Sequence, residues 1–507
     1  MKKLEVVTAV IAVMILTSFS ASAQYRAKSG PEAAPETETK IILEQAESSE
    51  APVVITLEQA LKIALSENVS VKVADMEIKR TEYAKKGTYA ALFPQIDASG
   101  AYQRTIKKQV MYMDFDMSSL GGAMGGAGSE GGTELPDGVQ LPDGSEGGSA
   151  AGGMDTSDGL EVGRWNTWSA GITAAMPLVN AQLWKSLKVS GLDVELAVEK
   201  ARSSRLDMVS QVKNAYFGIL LAKEAFDVYK QVYENALQNL EDTQMRYDAQ
   251  KASQVELLAA KTTLANSIPN VYNAESSVIL ALWQLKAVLG VDLDMNIDVA
   301  GKLEDYAGHM FYDIHQHDSI SLDRNSTMKQ LALQAEMLAE NIKLQKYANI
   351  PSLAVAFNFS MNAMTNDFNF SEYRWTPYST IGLSLSIPIF AGGKRYQQIR
   401  QAKNQYEQIQ LQTTNTERQL KIAIRQNLAT METSMKSYYA ANDAVTTAQK
   451  AYDIAQASYK VGHSKLVELN DAQLQLTQSR LAASQAIHGF LAAKTQLEQT
   501  LGQDFML

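Results

Sequence analysis

Residues 424–459 read IRQNLATMETSMKSYYAANDAVTTAQKAYDIAQASY. Within them Ile424, Met431, Tyr438, Val445, Tyr452 and Tyr459 stand seven apart, and Ser434, Ala441, Ala448 and Ala455 put small side chains three residues after four of these. Large and small residues alternating on a heptad describe a long helix packed closely against neighbours in coiled-coil fashion. No proline falls between Gly392 and Tyr459. Roughly 70 residues at about 1.5 Å each give about 100 Å of helix, far beyond the usual globular length.

The pattern has a twin 212 residues earlier. Val212, Ile219, Phe226, Tyr233, Leu240 and Tyr247 repeat the large positions, with Ala215, Ala222, Ala236 and Thr243 as the small ones. A matching long helix is expected from about 181 to 248. After each terminal tyrosine a second heptad helix follows. One carries Leu257, Leu264, Val271, Val278 and Leu285; its copy carries Leu469, Leu476, Ala483, Phe490 and Leu497. A further small-residue seam, Ala260, Ser267, Ala274 and Ala281, matches Ala472, Ser479, Ala486 and Ala493. Two seams call for neighbours on two sides, where a two-stranded coiled coil needs one. Pro269, where the copy has Leu481, predicts a kink. Leu289-Gly290 repeats as Leu501-Gly502, and Met176-Pro177-Leu178 returns as Ile387-Pro388-Ile389 at a shift of 211. The chain therefore reads as structural repeat one, 53–305, and structural repeat two, 306–507.

Each repeat also holds a pair of alternating segments. After Pro351, Leu353, Val355, Phe357, Phe359 and Met361 alternate with Ala354, Ala356, Asn358, Ser360 and Asn362. Then Ile381, Leu383, Leu385 and Ile387 alternate with Gly382, Ser384 and Ser386. In the first repeat, Ile96, Ala98, Gly100 and Tyr102 follow Pro94, and Trp168, Ile172, Ala174 and Met176 precede Pro177. Period-two alternation with one small-polar face is a strand signal. About ten residues is the length of a tilted membrane-spanning strand; a soluble half-buried hairpin fits the pattern as well. Tyr373, Trp375 and Tyr378 stand at the loop end, where an aromatic girdle would lie. Pro94, Pro177, Pro351 and Pro388, with Gly392 and Gly393, mark the expected strand–helix junctions. Between the first two strands, about 105–164, sits an insert rich in Gly, Ser, Asp and Met, read as a flexible extracellular loop.

The ends and the composition set the compartment. Lys2 and Lys3 precede an apolar run from Val6 to Leu16, then Ala21-Ser22-Ala23, the layout of a secretory signal peptide over 1–23. Residues 24–52, rich in Ala, Glu, Pro and Thr, read as a disordered leader. There is no cysteine, so neither a disulfide nor lipoprotein acylation is available. A net charge of −10 argues against nucleic acid as a partner. No later run is apolar enough for a spanning helix. An exported chain of this kind is soluble or a β-barrel.

Four strands cannot close a barrel, because a sheet edge in lipid leaves N–H and C=O groups unpaired. Barrels need about eight strands or more, so the four must be multiplied, and three copies give twelve. A ring of helices likewise satisfies both helical seams.

The chain resembles the TolC-like outer-membrane efflux protein family over nearly all of its mature length. Three patterns carry the likeness: Ser386-Ile387-Pro388-Ile389-Phe390-Ala391-Gly392-Gly393; Tyr459-Lys460-Val461-Gly462 followed by Val467-Glu468-Leu469-Asn470-Asp471-Ala472; and the two-fold repeat itself. The resemblance implies a homotrimeric channel-tunnel. A 12-stranded membrane β-barrel, four strands per protomer, would continue into a long α-helical barrel in the periplasm of a Gram-negative bacterium. It implies outer-membrane lipid around the barrel, a periplasmic adaptor protein and an inner-membrane transporter.

The turns between long helices, Ala249, Gln250, Lys251, Ala252 and Ser253 in one copy and Val461, Gly462, His463, Ser464 and Lys465 in the other, are the expected periplasmic tips. Gly462 suits a left-handed helix end, whereas Gln250 in its place predicts a different turn. By resemblance the tips dock the adaptor; a plain helix-hairpin turn explains Gly462 equally. Glu468 and Asp471 are three apart on one helix face. By resemblance they ring the closed entrance, where crowded carboxylates attract cations; a solvated face is the alternative. Glu256 is the first-repeat equivalent of Glu468, and Tyr459 is the family's candidate for a latch hydrogen bond.

Clustered His309, His315 and His317 could bind metal, but they come without cysteine or regular spacing, and the methionines at 111, 113, 117 and 124, a soft-metal signal, sit in the flexible loop, so no metal or cofactor is expected. No nucleophile–base pattern or phosphate loop is evident, so no enzyme is expected. The readings in play are a small-molecule efflux duct, a duct for secreted polypeptide, a non-channel periplasmic coiled-coil protein and a membrane-embedded barrel enzyme.

Overall fold

The computed structural model describes residues 52–111, 160–310 and 321–503. The signal peptide, nearly all of the leader, most of the insert, His315 and His317 lie outside the described residues. In chain order the elements are β1 (Val53–Ile55), α1 (Leu57–Glu67), α2 (Val69–Ala90), β2 (Gln95–Arg104), β3 (Gln109–Met111), β4 (Leu160–Val162), β5 (Asn166–Val179), α3 (Ala181–Asp248), α4 (Gln254–Leu289), β6 (Ile297–Val299), a 3-10 turn (Leu303–His309), α5 (Ser326–Tyr347), β7 (Ser352–Thr365), a 3-10 turn (Phe370–Glu372), β8 (Thr376–Ser386), α6 (Lys394–Lys460) and α7 (Leu466–Leu501). The long helices run 68 and 67 residues and each return helix runs 36. α4 continues unbroken through Pro269. Among the described residues no helix is long and apolar enough to cross a membrane.

The chain divides into two compact units. One unit, Met76–Glu199 with Lys329–Asn415, holds a four-stranded antiparallel sheet in the order β2-β5-β7-β8. Its register sorts the side chains by face. Ile96 faces Ala174, Ala174 faces Phe357 and Phe357 faces Ile381 in one row; Ala98, Ile172 and Phe359 make the next. The opposite face carries Asp97, Thr173, Asn358 and Thr380. One face is apolar and the other small and polar, the arrangement of a sheet with lipid on one side and a wet lumen on the other. Every residue of β2 and β8 is exposed, and among the described residues these strands are the two unpaired edges of the sheet.

Three expectations shift in detail. Pro177 does not end its strand. β5 runs on to Val179, with a register irregularity between Pro177 and Val179, since a bulge tolerates a residue with no N–H. Pro94 and Pro351 do sit just before β2 and β7, and Pro388 lies in the link after β8. Gly392 (φ 56°) and Gly393 (φ 79°) are both left-handed, which turns that link into α6. The ends of the insert are paired, Gln109 with Val162 and Met111 with Leu160, as a continuation of the β2–β5 hairpin. Tyr378 pairs with Ser360 on the polar face. The aromatic cluster at the loop end is instead Tyr102 against Trp168 (4.3 Å), Trp168 against Phe370 (4.9 Å) and Phe370 against Tyr373 (4.9 Å).

The helices of this unit are clamped by a buried carboxylate. Glu340 of α5 accepts Lys185 at 2.7 Å and Lys188 at 3.0 Å from α3, and Lys343 at 2.8 Å from its own helix. These ammonium groups hold its carboxyl down at about 2 against the burial that opposes them.

The other unit contains Lys200–Met328, Thr416–Leu507 and the chain up to Asp75. Its core gathers Tyr216, Ile219 and Leu220 of α3, Ile424 and Met431 of α6, and Phe490 and Leu497 of α7 over the parallel pair β1–β6. These include heptad positions read from the sequence. The Tyr216 hydroxyl donates to Ala300 O at 2.6 Å, and burial pushes it up to about 12.

The two repeats close in the same way. Asn68 Oδ1 accepts the N–H of Ser70 at the start of α2, while its Nδ2 donates to Val288 O at 2.7 Å. Asn325 Oδ1 accepts Met328 N at the start of α5, and its Nδ2 donates to Thr500 O at 2.6 Å. Each asparagine caps one helix and grips the last turn of another. Gly290 (φ 77°) and Gly502 (φ 64°) finish those last turns; a Cβ on Gly502 would collide with Arg324 O.

Candidate functional site: the two hairpin tips

Both helix-hairpin turns belong to the second unit and span 249–253 and 461–465. Their hydrogen bonds superimpose at the 212-residue shift. Ala249 N donates to Met245 O, Gln250 N to Tyr247 O, and both Lys251 N and Ala252 N to Arg246 O. Val461 N donates to Ala457 O, Gly462 N to Tyr459 O, and both His463 N and Ser464 N to Ser458 O. Gly462 is left-handed at φ 83°, and Gln250 takes the same conformation at φ 59°. The expected difference between the turns is therefore absent. Satisfying the last carbonyls of a helix demands the left-handed residue whatever its type, at about 1–2 kcal/mol for a residue with a Cβ.

The turns differ in how the next helix begins. Ser253 Oγ accepts Glu256 N at 3.2 Å, and the Glu256 carboxylate accepts Ser253 N at 3.0 Å, a complete capping box. Lys465 in the equivalent place provides no side-chain cap. Glu256 is thus tied to its own helix start. Glu468 and Asp471 of α7 are exposed and make no ion pair among the described residues. The tip also leaves apolar side chains bare: Val255, Val461 and Val467 are exposed.

Tyr459 is buried, whereas its repeat partner Tyr247 is exposed. The Tyr459 hydroxyl lies 2.5 Å from Thr243 Oγ1, which itself donates to Asn239 O at 2.6 Å. With its one proton committed, Thr243 accepts and Tyr459 donates. Arg246 Nη1 donates to Tyr459 O at 2.9 Å, and the guanidinium lies 4.8 Å from the Tyr459 ring centre. The ends of α3 and α6 are joined by these contacts over the core of Leu466, Leu469 and Ala260. The sequence marks Thr243 only as a small heptad position and does not mark Arg246. Arg246 stands where the second repeat has Ser458, and this break in the repeat was the available signal.

A polar concavity of about 770 Å³ lies along the same helices, lined in part by Glu224, Asp227, Glu304, Lys302 and Arg480. Burial, with Glu304 and Asp227 nearby, raises the Glu224 carboxyl.

A model of proteins described as outer membrane efflux protein matches residues 140–291 and 319–503, well over half of the chain. The chain belongs to the outer membrane efflux protein family. Within that family, outer membrane protein TolC of Vibrio cholerae is 21% identical over 342 residues, covering 66% of this chain and 76% of that protein. The proteases secretion protein PrtF of Dickeya chrysanthemi is 20% identical over 370 residues, covering 68% and 75%. The Campylobacter jejuni CmeC outer membrane channel shares the fold, with a TM-score of 0.65 at 16% identity over 94% of each chain. As an outer membrane efflux protein, the chain is a channel-tunnel component of the Gram-negative outer membrane. Its strands supply the barrel and its long helices the periplasmic tunnel.

Proposed function

We propose that three copies of this chain form the exit duct of a tripartite efflux pump, which passively conducts small molecules from a periplasmic adaptor and an inner-membrane transporter to the exterior. One observation carries the reading. A single chain supplies a four-stranded sheet with an apolar face and two unpaired edges, β2 and β8, and a sheet edge in lipid must find a partner. Edge-to-edge joining of three copies closes twelve strands. The two tips dock the adaptor, offering matched backbone turns with bare valines. Glu468 and Asp471, free of ion pairs within the described chain, ring the entrance as six carboxylates. The matched asparagine locks support boundaries at 53–305 and 306–507 for the two repeats, behind a signal peptide at 1–23 and a leader at 24–52.

Single-channel conductance in planar bilayers tests the duct. The wild type should form cation-preferring pores. Replacing Glu468 and Asp471 with Ala should weaken the preference and block by polyvalent cations. No conductance at all would point to a non-channel periplasmic protein instead. A second reading, a duct for a secreted polypeptide, draws on the likeness to PrtF. Export of a reporter polypeptide by the reconstituted assembly, without drug efflux, would favour it.

A further inference from the structure

Four helix ends meet one end of the sheet. α2 stops at Ala90 before β2, β5 stops at Val179 before α3, α5 stops at Tyr347 before β7, and β8 stops at Ser386 before α6. The antiparallel register sets all four junctions side by side. Ten residues of helix reach about 15 Å from each junction. Those stretches, 81–90, 181–190, 338–347 and 394–403, hold ten Lys or Arg and two carboxylates, in a chain whose net charge is −10. One of the two carboxylates, Glu340, is buried and already held by three lysines. Lys86, Lys346, Lys394, Arg400 and Lys403 are exposed and make no ion pair among the described residues.

Aromatic rings share this collar. Tyr83, Trp184, Phe390 and Tyr396 are 62% to 85% exposed within the single chain, which leaves large apolar surface for a partner outside it. An apolar sheet face that gives way to exposed rings and unneutralised cations at one common level, Lys86 beside Tyr83 and Lys394 beside Tyr396, matches the edge of one leaflet, where hydrocarbon meets the interface and the headgroup phosphates.

We propose that this collar docks the anionic phospholipid headgroups of the leaflet nearest the helices and selects them over zwitterionic ones. A zwitterionic headgroup brings its own ammonium to its phosphate; an anionic one leaves the phosphate charge for a lysine or for the fork of Arg400. The attraction acts within a Debye length of about 8 Å, so it must weaken with salt. The inference rests on the sheet lying in the outer membrane.

The test uses the full chain in nanodiscs of phosphatidylethanolamine with a minority of phosphatidylglycerol, and measures the lipid retained after mild delipidation. Retained phosphatidylglycerol should exceed its bulk share at low salt and fall towards it at about 0.5 M salt. The variant K86Q/K346Q/K394Q/K403Q should lose it, by roughly fivefold in affinity per charge removed. K251Q/K460Q/K465Q at the tips should retain it as the wild type does. Retention unmoved by salt, or equal in the collar variant and the wild type, overturns the proposal. So does a collar variant that alters conductance or assembly with its lipid unchanged, which would place the cations at a subunit contact or in the lumen. If the collar variant does not fold, the salt series on the wild type decides. Wild type that fails to enter nanodiscs overturns the membrane reading and the collar with it; insertion without lipid preference overturns the collar alone.

Discussion

The hydroxyl of Tyr459 donates to Thr243 Oγ1 across 2.5 Å, tying the last turn of α6 to the penultimate turn of α3. Both groups are buried, so losing either leaves the other short of a partner, at about 1–2 kcal/mol. Tyr459→Phe and Thr243→Val should each loosen the tip and raise mean conductance in planar bilayers. The double variant should do little more than either alone, because the two act as one bond. Additive effects would separate the residues.

The left-handed Gln250 is a stored cost that the second repeat avoids with Gly462. Gln250→Gly should stabilise the chain by about 0.5–1 kcal/mol and Gly462→Ala should destabilise it by a similar amount. Denaturant midpoints measured at constant slope would show the opposite signs.

Glu340 sets an acid dependence. Its carboxyl is held at about 2, well below its ordinary 4.5. A depressed carboxyl contributes stability that is present above pH 4.5 and lost as pH falls towards about 2. The shift corresponds to about 3 kcal/mol. Glu340→Gln should remove that acid-dependent step from melting curves and destabilise the protein at neutral pH, since three ammonium groups lose their shared partner. A variant that retains the step would place it elsewhere.

Asn68 and Asn325 predict matched losses. Each caps a helix and holds a carbonyl of another, so Asn→Ala should cost about 1–3 kcal/mol at either site. Hydrogen exchange should speed at the end of α4 for Asn68→Ala and at the end of α7 for Asn325→Ala.

Much of this was legible in the sequence, for physical reasons. Heptads such as Ile219, Ile424 and Met431 announce themselves because a helix returns the same face every two turns, and strand faces such as Phe357 and Ile381 because the pleat has a period of two. Both hairpin turns fell where the repeat placed them. What stayed hidden depends on distant partners or on geometry that composition does not encode. Lys185 and Glu340 are 155 residues apart. Gln250 gives no hint of a left-handed backbone. Tyr378 shares the face of Gly382 and Ser384 by the alternation itself, while its place beside the loop suggested only the girdle. Ser253-x-x-Glu256 has the spacing of a capping box, a local role that the match of Glu256 to Glu468 in the repeat conceals.

The central claim is that one chain brings too few strands to close its own barrel. Native mass spectrometry of the protein extracted from outer membranes into mild detergent tests it directly. The account predicts a single species of three times the mature chain mass. A stable monomer, or an assembly whose strands do not add up to a closed barrel, would contradict it.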